Sequence, residues 1–302
     1  MTDSMKRHVS TAIVRDVSSN PDSQQTARIE AHVRVESPAR NSIDLLQEAT
    51  DLSKQRIKLA MTQGAVWITR ERHTQRLRRV TRSLRAGDEI HLYYDPKILA
   101  EVPPVPTLIA DCSSYSVWNK PRGMRSQGSK WGDHCTIVRW AERKLEPQRS
   151  AFTVHRLDRA ATGLILIAHS KRIAAALSAL FKDRVVEKSY RAVVEGDFSA
   201  QANPLRVTSA LDGKEAISEF RFLQLLDEGR RSEVDVQIET GRKHQIRRHL
   251  AELGYAIAGD RLYGSANEGD VDLQLTAYRL AFHCPENDEP VEYKIHVSML
   301  PE

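Results

Sequence analysis

The sequence predicts an α+β protein in which a small module precedes a larger one. Short apolar runs separated by Pro and Gly recur from about residue 112 onward, as the strands of a sheet protein do. Ahead of them, residues 41–98 combine helical and strand periodicity in one short stretch. A chain of 302 residues has room for both.

The elements follow in chain order. Residues 1–40 form a polar extension, with 18–25 its least structured part. Within it, 28–35 alternates as an edge strand would. The spacing predicts a helix over 44–52. Ser53 is placed to cap a second helix that buries Ile57 and Met61, exposes Lys54, Arg56 and Lys58, and ends at Gly64. Val66 and Ile68, then Ile90, Leu92 and Tyr94, alternate as strands. Pro103, Pro104 and Pro106 mark 99–111 as a stiff linker. In the larger domain, 112–302, residues 164–168 read as a fully buried strand fed by a turn at Thr162-Gly163. Ser170 starts a helix whose core stripe is Ile173, Leu177, Leu180 and Phe181. Residues 186–196 alternate as a strand. A helix starting near His244 turns Ile246, Leu250 and Leu253 inward. There is no internal repeat.

Composition narrows the function classes. Hydrophobic residues make up 40% and charged residues 28%, as in soluble globular proteins. The net charge of +5 and a pI near 9.1 favour a polyanionic partner. Between positions 70 and 85 stand arginines 70, 72, 76, 78, 79, 82 and 85 against a single acid, Glu71. Such a run is either a solvated face or a phosphate-binding surface. The three cysteines are far apart and odd in number, which predicts free thiols in a reducing compartment. A zinc site from His283, Cys284 and a distant histidine is the weaker reading. No apolar run approaches the roughly 20 residues of a membrane span, and the N-terminus lacks a secretory signal's apolar core. A cytosolic protein is expected.

Three segments carry candidate chemistry. Asp158 sits between Arg156 and Arg159 just before the buried strand, where a loop can aim a side chain. The same pattern suits a surface ion pair. Tyr190 lies on the 186–196 strand, where a tyrosine is commonly core with a wet hydroxyl. In 239–250, Arg242, Lys243 and His244 open the helix that carries Arg247, and positions 244 and 247 share a face. A basic helix start is otherwise a phosphate or solvent surface.

His155-Arg156-Leu157-Asp158 with Thr162-Gly163-Leu164-Ile165-Leu166-Ile167-Ala168 resembles the signature of the RluA-type pseudouridine synthases. Asn119-Lys120-Pro121-Arg122-Gly123, Lys188-Ser189-Tyr190-Arg191-Ala192, Thr240-Gly241-Arg242-Lys243-His244-Gln245-Ile246-Arg247 and Gly259-Asp260-Arg261-Leu262-Tyr263-Gly264 are similar to four further blocks, in the family's order. The family's frequent Thr-Ser-Gly is Ala161-Thr162-Gly163 here. Residues 52–58, 63–68 and 84–90 resemble an S4 RNA-binding domain. Its asparagine-glycine turn is replaced by Thr69-Arg70-Glu71-Arg72-His73, a longer and more basic loop.

The resemblance implies a central mixed, mostly antiparallel sheet flanked by helices, with an S4-like α/β domain ahead of it. It implies isomerisation of uridine to pseudouridine in RNA, by a monomer with no cofactor and no metal. Asp158 would be the catalytic carboxylate, acting on C1′ or on the C2′ proton. Tyr190 would stack on the target base, and Arg247 would pair with and orient Asp158. Arg156 would fill the space that the flipped base leaves. Arg159, Arg242, Lys243 and His244, with Lys54, Arg56, Lys58, Arg70, Arg72, Arg78 and Arg79, would contact RNA. The first and fifth blocks would be structural. Large-subunit (23S) ribosomal RNA is the expected substrate. Transfer RNA, or a non-catalytic role in ribosome assembly, are the alternatives. A glycosidic hydrolase would need a second carboxylate, and the matching segments suggest none.

Overall fold

The computed structural model describes residues 11–16, 28–37, 41–266 and 271–295. The polar stretch 18–25 lies outside them. The chain divides into two units, one of Met1–Pro103 with Gln127–Arg139, the other of Pro104–Ser126 with Trp140–Glu302.

The first unit is a five-stranded antiparallel sheet with helices packed on it. Its elements are β1 (Thr11–Asp16), β2 (Arg28–Arg34), α1 (Ser42–Thr50), α2 (Lys54–Thr62), β3 (Val66–Arg70), β4 (His73–Arg76), β5 (Glu89–Tyr94) and α3 (Pro96–Leu99). The strand order is β1-β2-β5-β3-β4. So β2 is an interior strand rather than an edge, because β1 supplies its second ladder. Helix α1 begins earlier than its apolar spacing suggests, because the Asn41 side chain accepts from the Asp44 amide at 2.9 Å. Ser53 caps α2 as expected. Ile57 and Met61 are fully buried with Val66, Ile68, Ile90 and Leu92.

The expected long loop after β3 is instead a two-residue turn. Arg70 pairs with His73, and Glu71 takes the left-handed conformation that closes the hairpin. The arginine run finds its counter-charges far away in sequence. Arg70 grips the buried carboxylate of Asp88 through Nε at 2.8 Å and Nη2 at 2.7 Å. Arg76 and Arg78 both pair with Asp133.

Asp133 belongs to residues 127–139, which the sequence placed in the larger domain but which pack within the first unit. The Trp67 indole donates to the Lys130 carbonyl at 3.0 Å, and Lys130 reaches Glu30 at 2.8 and 2.9 Å. Trp131 stacks under the Arg28 guanidinium and meets Tyr93 edge-on. Aromatic faces and ion pairs hold this segment, and no local pattern signals them.

The second unit contains β6 (Thr107–Asp111), β7 (Tyr115–Lys120), β8 (Phe152–Thr153), β9 (Thr162–Ala168), α5 (Lys171–Lys182), β10 (Glu187–Glu195), β11 (Leu205–Leu211), β12 (Lys214–Leu226), β13 (Arg231–Ile238), α6 (Gln245–Glu252), β14 (Leu275–His283) and β15 (Pro290–Lys294). Helix α4 (Ile137–Lys144) starts in the first unit and runs into the second. The linker expected over 99–111 is shorter than predicted, because 107–111 pairs with β7. Ten strands form one sheet in the order β11-β12-β13-β10-β14-β9-β7-β6, with β15 on β14 and β8 on β9. Only β9–β14 is a parallel pair among the described strands. The sheet is therefore mixed and mostly antiparallel, as expected.

Strand β9 is the centre of this unit. Leu164 to Ala168 are fully buried, and Ile173 and Leu177 of α5 pack over Leu164 and Leu166. At the start of β9, Gly163 has φ +116° and a Cβ there would collide with the Ala277 backbone. This close approach joins β9 to β14 and fixes where the loop before β9 enters the sheet.

Candidate active site

Asp158 lies on that loop, residues 154–161, and the loop is pinned on both sides of it. The Ser126 hydroxyl donates to the Leu157 carbonyl at 2.7 Å and accepts from the Leu157 amide at 3.0 Å. His155 Nε2 accepts from the Leu166 amide at 2.9 Å, and its ring stacks on Phe181 at 4.2 Å. Burial pushes His155 down to about 3, so it is held neutral as that acceptor role requires. Beyond Asp158, Lys120 Nζ donates to the carbonyls of Ala161, Pro121 and Met124 at 2.6, 3.0 and 3.1 Å. Burial pulls Lys120 down to about 7, with the charge of Asp158 opposing. Three acceptors use all three N–H bonds of the ammonium form. Lys120 ties the turn after β7 to the loop before β9.

The Asp158 carboxylate faces two side chains at the start of α6. Arg247 Nη1 is 3.6 Å from one oxygen, and His244 Nε2 is 3.7 Å from the other. The expected shared face of 244 and 247 is therefore present. His244 itself is left-handed, at φ 54° and ψ 29°, and hands the chain into the helix. Its Nδ1 is 2.9 Å from the Tyr263 hydroxyl.

The tightest partner of Arg247 is Asp260, not Asp158. Nε and Nη2 grip Asp260 at 2.8 and 2.6 Å, with Arg247 5% and Asp260 0% side-chain exposed. Asp260 Oδ1 also accepts from the amides of Leu262 and Tyr263. Burial alone would raise the Asp260 carboxyl, but Arg247 and the two amides outweigh it and hold it below its usual range. Asp260 thus fixes the guanidinium that faces Asp158. The fifth block reads as purely structural in the sequence. The available signal was an acid directly after the apolar run Ala256-Ile257-Ala258-Gly259, since a buried acid needs a cation.

Tyr190 of β10 completes the arrangement. The register between β10 and β14 slips between Ser189 and Tyr190, and such a bulge re-aims a side chain. Tyr190 lines a cavity of about 100 Å³ with Arg156, Asp158, Arg242, His244 and Arg247. Burial and the charge of Asp158 push its phenol up, so it stays neutral.

The remaining candidates are dispersed. Arg156 is exposed at this cavity, and Arg242 Nε donates to the Glu215 carbonyl at 2.8 Å. Lys243 is exposed and does not line the cavity. Arg159 donates to the Gly123 carbonyl at 3.1 Å beside a second cavity of about 380 Å³. In the first unit Lys54 pairs with Asp44 at 2.8 Å, while Arg56, Lys58, Arg72 and Arg79 are exposed. Arg70 and Arg78 are committed to Asp88 and Asp133, which makes them struts of their own unit. Among the described residues no three His, Cys, Asp or Glu side chains cluster as a metal site needs. No helix among them is long and apolar enough to cross a membrane.

Comparison with known proteins identifies the family. Residues 114–252 match the family model described as RNA pseudouridylate synthase. An uncharacterized RNA pseudouridine synthase of Chloroflexus aurantiacus is 32% identical over 240 residues, 71% of this chain and 72% of that protein. The ribosomal large subunit pseudouridine synthase D of Borreliella burgdorferi is 29% identical over 205 residues, 60% of this chain and 62% of that protein. Human RNA pseudouridylate synthase domain containing 1 shares the fold, with a TM-score of 0.54 at 22% identity over 67% of this chain and 88% of the human one. From the Asp158 loop to the helix that faces it, the chain belongs to the RluA-type RNA pseudouridine synthases, isomerases that act on uridine in RNA.

Proposed function

We propose that this enzyme isomerises one or a few uridines of 23S ribosomal RNA, as a monomer in the cytosol, with Asp158, Tyr190 and Arg247 as its catalytic set. The observation that carries the roles is the single small cavity onto which all three open. Asp158 is the carboxylate that acts on the nucleotide, at C1′ or at the C2′ proton. Tyr190 stacks on the extruded uracil, where a neutral aromatic face is worth about 1–3 kcal/mol. Arg247, itself fixed by Asp260, orients Asp158. Arg156 is exposed beside the cavity, so its planar guanidinium is available to the space that the flipped base leaves.

Support for a ribosomal substrate comes from the Borreliella relative, whose name assigns it to the large subunit. The exposed cations Arg56, Lys58, Arg72 and Arg79 of the first unit favour an S4-like role in holding structured RNA.

The test is pseudouridine mapping of total RNA from deletion cells complemented with wild type or Asp158→Asn. Uridines in 23S RNA restored only by wild type are the expected result. Restoration confined to transfer RNA would refute the ribosomal assignment. Restoration by the Asn variant would refute the role of Asp158.

A further inference from the structure

Isomerisation exchanges the N1–C1′ bond of uridine for a C5–C1′ bond. C5 must lose the hydrogen it carries and N1 must gain one. One proton therefore travels from carbon to nitrogen in each turnover, and none is consumed. Asp158 is occupied at the sugar in the proposed mechanism. Tyr190 is a phenol held neutral by burial, and Arg247 is locked as a cation by Asp260. None of these three is free to accept a proton from carbon.

His244 is the remaining group at the cavity with the right chemistry. It lines both the Tyr190 cavity and the neighbouring larger one. Its Nε2 points toward Asp158 at 3.7 Å, beyond hydrogen-bond distance. Its other nitrogen is held 2.9 Å from the Tyr263 hydroxyl, with the two rings edge-to-face. With Nδ1–H donating to the Tyr263 oxygen, the Nε2 lone pair is presented to the cavity. A left-handed backbone at a non-glycine residue places the ring there, at the helix start.

We infer that His244 is a further catalytic residue, the base that removes the C5 proton. The inference rests on the assignment of the Tyr190 cavity to the flipped uracil. Once C5 has bonded to C1′, Nε2 takes the C5 proton. The C–H electron pair forms the C5=C6 double bond, and the C6=N1 pair moves onto N1. N1 then takes a proton back from the imidazolium, directly or through water, which restores neutral His244. The groups facing the imidazole are Asp158, Arg247, Lys243, Asp260 and Tyr263. Burial lowers its basicity most, Arg247 and Lys243 add to this, and the two aspartates oppose it. The neutral form therefore prevails at physiological pH, and acidification removes the base.

The test uses His244→Asn, since asparagine tolerates the left-handed backbone but carries no base. The substrate is total RNA from deletion cells fed either uridine or 5-deuterouridine. Turnover should fall by about 10²–10⁴-fold, with unchanged melting temperature and little change in KM. Deuterium at C5 should slow the variant far more than the wild type, and added imidazole should restore rate. Two results would overturn the inference. One is a rise in KM with kcat retained, which makes His244 an RNA contact. The other is a slow variant with no added isotope effect, which makes it a positioning residue. Failure of the cavity assignment is separable, because Tyr190→Ala would then leave turnover intact.

Discussion

Replacing Asp260 by asparagine removes one charge from a buried pair while keeping its shape. In the native protein both partners are almost wholly out of water, and Arg247 makes two short bonds to the carboxylate. Asparagine can still accept from the Leu262 and Tyr263 amides through its oxygen. Its NH₂ group would then face the guanidinium, donor against donor. Stranding one partner of a buried pair costs about 3–5 kcal/mol. Asp158, 3.6 Å from Arg247, offers the orphaned cation a second carboxylate, so the lower end, about 3 kcal/mol, is expected. For a unit of this size that corresponds to a melting point lower by roughly 6–12 °C. Turnover should fall as well, because the guanidinium drawn toward Asp158 no longer holds it in position. Thermal denaturation and single-turnover kinetics on the same preparation measure both. The double variant Arg247→Met/Asp260→Leu should recover much of the stability and none of the activity, since apolar replacement of a buried pair is often tolerated. If Asp260→Asn melts with the wild type and turns over normally, Asp260 does not fix Arg247.

Three other outcomes are expected. The folded value of His155, about 3, lies below the ordinary 6.5, so its contribution to stability is complete above pH 6.5 and drains away as pH falls toward 3. Denaturation at about pH 5 should find roughly 2 kcal/mol lost, and His155→Gln should flatten that slope. Tyr190→Phe should keep most RNA affinity and turnover, whereas Tyr190→Ala should forfeit stacking of about 1–3 kcal/mol, read in a filter-binding assay. Gly163→Ala should destabilise the second unit, because the Ala277 backbone occupies the site of the added methyl and φ is +116°. A melting curve matching wild type would refute that.

What the sequence disclosed was local. The apolar run of β9, the caps at Ser53 and Ser170 and the shared face of His244 and Arg247 each depend on residues a few positions apart. What it concealed was long-range. Asp88 and Asp133 neutralise arginines of a run that holds only one acid of its own, Glu71, and both lie outside that run in sequence. Asp260 claims Arg247 across 13 positions, and only the buried geometry shows that this bond outranks the one to Asp158. The ladder that β1 lends to β2 likewise depends on a pairing that alternation alone cannot reveal.

Residues 127–139 leave the second unit and return to it after packing against β2, β3 and β5 of the first. An enzyme shortened to begin at Pro104 would therefore keep a tongue of chain whose seat had been cut away, with Trp131 and Asp133 deprived of partners. The N-terminal module is not a detachable accessory in this protein. Removing residues 127–139 together with the module should therefore leave a better-behaved second unit than removing residues 1–103 alone.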